Sequence, residues 1–166
     1  MSEELFKEPY LPPISPRDIA EVYPPLIEVV PPTAPPPVEV SPINEVELKS
    51  TTDTSYIDII RLSPSIGKII LLKEISIAPL TPDSTTYGRW YLKIDDKTWR
   101  ELKLASSISI PYDFNVVVRK EVIIAHRTID SAHEVKTNAM VVGVECTEED
   151  ITKVRGFLLK KLKSVR

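Results

Sequence analysis

Prolines divide this chain in two. Twelve of its 16 prolines lie between Pro9 and Pro42. Each removes a backbone donor and confines the preceding residue to extended conformations, so polyproline II and extended strand are what remain for residues 9–42. At about 3.1 Å per residue, such an arm spans on the order of 100 Å. It is too apolar for a solvated spacer, because Tyr10, Leu11, Ile14, Ile19, Val22, Tyr23, Leu26, Ile27, Val29 and Val30 stand between the prolines. One short helical turn is expected at Pro16 to Tyr23, with Ser15 as its N-cap. Two roles compete for the arm: a strap docked on its own domain or a neighbouring subunit, and a tail that recruits proline-binding modules. Interleaved apolar residues favour the strap, with Tyr10, Leu11, Ile14, Tyr23, Leu26, Ile27, Val29 and Val30 as its contacts.

Charge follows the same division. Residues 1–42 carry two basic and seven acidic groups, while the last twenty carry six basic and three acidic. The two ends are therefore electrostatically opposite. The chain of 166 residues suffices for one domain with a proper core. A single cysteine, Cys146, excludes an internal disulfide. The acidic opening MSEELFKEPY does not read as a secretory signal, and the longest apolar run, Ile69 to Leu72, is far too short to span a membrane. A soluble protein made in the cytoplasm is expected. Glutamine is absent and asparagine occurs at 44, 115 and 138, a thinning of thermolabile amides that suggests a thermophilic source.

From Asn44 onward the pattern becomes one of strands. Lys68 to Asp95 organises it as two β-type runs joined by a polar, proline-containing loop, in a hairpin or a sheet corner. Period-2 alternation sets Ile69, Leu71, Ile75 and Ile77 on one face of the first run, and Trp90, Leu92 and Ile94 on one face of the second. Further strands are expected at Glu45 to Lys49, Tyr56 to Leu62, Thr98 to Leu104 and Ile108 to Pro111. Asn115 to Arg119 and Glu121 to Arg127 read as one long strand bulged near Lys120, and Glu134 to Glu145 closes the series. About eight antiparallel strands at regular spacing with no helical pattern between them predict an all-β fold, a single sandwich of jelly-roll or immunoglobulin-like type. The predicted organisation is an arm over 1–42, a sandwich over 43–146 and a helix over 147–166.

That helix is read from TEEDITKVRGFLLKKLKSVR. Thr147 is a natural N-cap, the acidic residues after it suit the positive end, and the closing lysines suit the negative end. Ile151, Val154, Leu158, Leu162 and Val165 form an apolar stripe, of which Val154, Leu158 and Leu162 are the candidate partner contacts. The stripe can pack on its own sandwich or on a partner subunit, and the basic side leaves membrane contact open. A basic last turn is dipole complementarity before it is a phosphate site, so nucleic acid is not an expected partner.

No stretch carries a catalytic or cofactor signature. His126, Asp130 and His133 flank a turn without a fourth ligand, the aspartates at 83, 95 and 96 are turn residues without calcium-loop spacing, and four glycines do not build a phosphate loop. The expectation is a protein that is not an enzyme, with no cofactor and no small-molecule substrate. Trp99 alternates onto the charged face of its strand. There it is available to stack on a sugar ring with Tyr87, Tyr91 and Tyr112, or to be covered by the arm or the helix.

The succession GKIILLKEISIAP, PDSTTYGRWYLKIDDKTW, IPYDFNVVV and NAMVVGVE resembles the small β-sandwich structural proteins of viruses that infect thermophilic archaea and bacteria. The resemblance covers roughly residues 55–146. It implies a virion component such as a capsid, penton, turret or decoration protein, made in the host cytoplasm, whose partners are copies of itself and other virion proteins. The alternative is a carbohydrate-binding or receptor-binding module, or an accessory domain of a hydrolase.

Overall fold

A computed structural model describes residues 38–98 and 101–164. Its strands are β1 (Ser41–Thr51), β2 (Ile57–Leu62), β3 (Lys68–Pro79), β4 (Gly88–Ile94), β5 (Lys97–Thr98), β6 (Ile108–Val118), β7 (Val122–Thr128) and β8 (Val135–Thr147). A short helix α1 (Pro82–Tyr87) precedes β4, and a 3-10 turn at Glu148–Asp150 leads into α2 (Ile151–Ser164). The arm residues Tyr10 to Val30, the turn expected at Pro16 to Tyr23, and Trp99 lie outside the described residues.

The strands form two four-stranded antiparallel sheets, ordered β1-β8-β3-β6 and β2-β7-β4-β5. The pairs β1 with β8, β2 with β7, β3 with β6 and β4 with β5 are those of one long hairpin wound around a barrel. That winding is the jelly roll, which selects between the two sandwich types expected from sequence.

The core lies between the sheets, with Ile70, Leu72, Ile75, Trp90, Leu92 and Val141 at its centre. Strand β4 shows the simplest origin: Gly88, Trp90, Leu92 and Ile94 point inward, and Arg89, Tyr91 and Lys93 alternate outward. Strand β3 differs because Ile69, Ile70, Leu71 and Leu72 are all buried. Ile70 and Leu72 face the core, whereas Ile69 and Leu71 belong to a second cluster under α2. A register shift between Leu72 and Glu74 then exchanges the faces, so Ile75 and Ile77 point into the core. The expectation that Ile69, Leu71, Ile75 and Ile77 share a face is thus corrected by a bulge that simple alternation does not contain.

Other boundaries differ from expectation, among them the strand expected at Thr98 to Leu104, where β5 covers Lys97–Thr98 and Leu102 makes an isolated bridge to Trp90. The loop between β3 and β4 holds α1, capped by Thr81, whose hydroxyl accepts from Ser84 N at 3.1 Å, with Pro82 in its first turn. Residues 108–118 are one strand, interrupted internally where Asp113 and Phe114 adopt φ of 48° and 62°. Residues 115–127 are two strands in opposite sheets, because the chain turns at Arg119–Lys120. The Asp95 carboxylate fixes that turn by accepting from the backbone N–H groups of Arg119, Lys120 and Glu121 at 3.1, 2.7 and 3.2 Å.

Candidate interaction surfaces

The C-terminal helix is docked on its own sandwich. Val154 is 2% exposed and sits in the second cluster with Ile69, Leu71, Phe114, Val144 and Cys146, with Ile151 and Leu158 packed at the edges. Arg155 anchors the helix: its Nε donates to the Phe114 carbonyl at 2.8 Å and its Nη2 to the Asn115 carbonyl at 3.0 Å. Those carbonyls leave the left-handed segment of β6, so the guanidinium satisfies backbone that the distortion takes out of the ladder. Val154 is therefore committed to a contact within the chain and is not free for a partner, and Leu158 is half-buried beside it. The side chain of Leu162 lies outside the described part of the structure. Cys146 is buried here and burial pushes its thiol pKa up, so it behaves as a small core residue.

Beside the docked helix is a cleft of about 370 Å³ lined by Val38, Val40, Lys153, Val154 and Phe157. Phe157 is 66% exposed and Val40 38% exposed, so an apolar wall stands open where the chain enters β1. Lys153 at the rim pairs with Asp150 at 3.1 Å and holds that carboxyl below its usual range, with the Thr147 hydroxyl contributing. Sequence periodicity misses Phe157, which falls off the helical stripe, and misses Val38 and Val40, which stand among prolines.

Strand β1 is the second surface. Its register with β8 sets Val46 opposite Met140 and Leu48 opposite Asn138, on the sheet face turned away from the core. Val46 and Leu48 are 53% and 57% exposed. The other parity contains Ile43, which packs on the core, followed by Glu45, Glu47 and Lys49, which are exposed. The Lys49 ammonium donates to the Asp58 carbonyl at 2.6 Å. The signal is the parity conflict itself: once Ile43 points inward, Val46 and Leu48 must point out.

The outer face of the second sheet is polar and largely self-satisfied. Tyr56 meets Tyr91 at 5.5 Å between ring centroids, and the Arg127 guanidinium lies 5.0 Å above Tyr56. Arg127 and Arg89 both approach Glu101, at 3.2 and 3.6 Å. The tyrosines considered with Trp99 have separate surroundings. Tyr87 stacks on His133 at 3.8 Å, Tyr91 meets Tyr56, and Tyr112 packs against the core.

The histidines do not form a site with Asp130. His133 is held by Asp83 at 3.2 Å, with Asp130 at 3.9 Å, whereas His126 is fully buried with Nδ1 3.0 Å from the Thr137 hydroxyl. Among the described residues no group of His, Cys, Asp or Glu has the arrangement of a metal site, and no described helix is long and apolar enough to cross a membrane. No protein-family model matches the chain, and the comparison with curated proteins finds no match.

Proposed function

We propose that this protein is a structural subunit of a virus particle, a capsid, penton, turret or decoration protein that works through assembly contacts. Its N-terminal segment tethers neighbouring subunits. The observation that carries the reading is the pairing of a rigid jelly-roll block with an open apolar cleft where the proline-rich segment joins it. An apolar, acidic strap has the right chemistry for a neighbour's Val40–Phe157 wall with Lys153 at its rim. Prolines lower the entropy lost when such a strap is ordered, which favours tethering over free display.

Sedimentation velocity and negative-stain microscopy of the full chain, beside a variant lacking residues 1–36, test this reading. The full chain is expected to form assemblies larger than a dimer that the shortened one does not, with both retaining the same circular dichroism per residue of sandwich. A full chain that stays monomeric at high concentration counts against it. Adjacent genes for capsid, portal or packaging proteins separate a virion role from a cellular one.

A second reading, a carbohydrate-binding or receptor-binding module, draws on the Tyr56, Tyr91 and Arg127 array and on Trp99. Glycan binding that disappears in Trp99→Ala or Tyr91→Ala supports it, and binding unchanged in both removes it.

A further inference from the structure

We propose that two copies of this chain pair antiparallel through their β1 edges, about a two-fold axis at Leu48. The pairing joins two four-stranded sheets into one of eight strands. It rests on the reading that the protein acts through contacts between copies, and it names the surface and register of one such contact.

The edge is built for addition. Among the described residues β1 pairs with β8 on one side and with no strand on the other. Its register with β8 runs unbroken from Ser41 to Thr51, whereas β2, β3 and β6 all carry register shifts. Natural sheets blunt an exposed edge with prolines, bulges, short strands or charged residues, and from Ile43 to Thr51 this edge carries only the last of these, Glu45, Glu47 and Lys49, whose mixed signs a second copy can pair. A row of backbone donors and acceptors is left to template another strand.

The side chains then choose the strand and its register. A two-fold axis normal to the sheet keeps both outer faces on one side, so only residues of like parity can oppose one another. With the axis at Leu48, Leu48 meets its own copy, Val46 meets Ser50, Glu45 meets Thr51, and Glu47 meets Lys49 twice over. Moving the axis to Glu47 retains two Glu45–Lys49 pairs and sets Val46 against Leu48, but it places the Glu47 carboxylate against its own copy at the axis. Moving it to Val46 sets Glu45 against Glu47, and moving it to Lys49 opposes two ammonium groups. Like charges directly opposite are destabilising and opposite charges favourable, so of these four registers the one centred on Leu48 alone has opposite charges paired with no like pair. Lys49 uses one of its three protons on the Asp58 carbonyl and retains two for Glu47 of the second copy. Leu48 at the axis also covers apolar surface that the single copy leaves 57% exposed.

A charge-swap series in the full-length chain tests the pairing. Glu47→Lys and Lys49→Glu each create two like-charge pairs and are expected to weaken dimerisation about tenfold at low salt in sedimentation velocity, while the double variant restores it. In parallel, Leu48→Cys is expected to give a disulfide-linked dimer under mild oxidation. Val46→Cys is not, because its copies lie roughly 13 Å apart along the strands in this register. Circular dichroism and melting temperature confirm that each variant folds. A series in which the singles associate like the unmodified chain, or the double remains as weak as the singles, overturns the pairing, as does efficient cross-linking through Val46→Cys instead of Leu48→Cys. A flat series in a chain that still assembles through residues 1–36 removes this contact and leaves the virion reading standing. The expected series in a chain that builds nothing beyond a dimer keeps the contact and removes that reading.

Discussion

Trp90 donates its indole N–H to the hydroxyl of Thr137 at 3.0 Å, across the interior from one sheet to the other. The same hydroxyl meets His126 Nδ1 at 3.0 Å, so two fully buried rings, on β4 and β7, share the one buried hydroxyl oxygen on β8. An apolar core specifies packing loosely, whereas a hydrogen-bonded node ties the sheets at one relative position.

Removing the node's centre while keeping its shape should therefore be costly. Thr137→Val leaves the Trp90 N–H and His126 Nδ1 without their partner in a dry interior, and a loss of about 3 kcal/mol is expected. Thr137→Ser retains the hydroxyl and should lose far less. Urea denaturation of the two variants at pH 7 measures the difference.

Acid sensitivity follows from the same residues. Burial, with the Lys49 charge adding to it, lowers the His126 pKa from 6.5 to about 4. Between those values the unfolded chain takes up a proton that the folded chain refuses. Stability is then full above pH 6.5 and falls as pH drops toward about 4, by on the order of 3 kcal/mol. The depressed carboxyls work in a more acid window. Glu121, hydrogen-bonded by Lys93 and attracted by Arg61, lies below its ordinary 4.5, so its contribution is present above that pH and is lost below it. His126→Asn keeps a polar group near the Nδ1 position and removes the titration. Its denaturation midpoint should be flat between pH 6.5 and 5, where that of the unmodified protein declines.

How much of this was legible in the sequence depends on what each residue answers to. Trp90, Leu92 and Ile94 alternate because β4 has one buried face, and local pattern is enough to find them. Ile69 to Leu72 defied that rule because two different bodies cover the two faces of β3, and the second body, α2, comes from the far end of the chain. The face exchange at Lys73 and the left-handed Asp113 and Phe114 leave no local signature, since neither site uses glycine. The candidate surfaces were harder still. Val46, Leu48 and Phe157 read as ordinary apolar residues until the packing of Ile43 and Val154 shows that nothing described remains to cover them.

Helix docking separates into two measurable parts. Arg155→Ala deletes two charge-assisted hydrogen bonds to the Phe114 and Asn115 carbonyls, and with them the support for two left-handed residues. A loss of about 2 kcal/mol is expected. Val154→Ala opens a cavity in the second cluster at a similar cost, about 2 kcal/mol. Hydrogen exchange should show residues 151–158 losing protection in both variants while β4 and β7 keep theirs, as a locally detached helix requires.

Gly88 shows how little room the core allows. It ends α1 and begins β4 with an ordinary φ of −69°, so its need is for space and not for backbone freedom. A Cβ there would stand 2.3 Å from the Ser84 carbonyl oxygen and 2.5 Å from the Trp90 ring. The first neighbour is helix backbone and the second is the indole held by Thr137, so neither can retreat without breaking a hydrogen bond. Gly88→Ala should destabilise the fold by about 3 kcal/mol, toward the upper end of what overpacking costs. Coupling to the node gives the sharper check. In the Thr137→Val background the indole is no longer tethered, and the added methyl should cost about 1 kcal/mol less than in the unmodified chain. A double-mutant cycle by urea denaturation measures that difference, and strict additivity would show that the Trp90 ring yields to the methyl independently of Thr137.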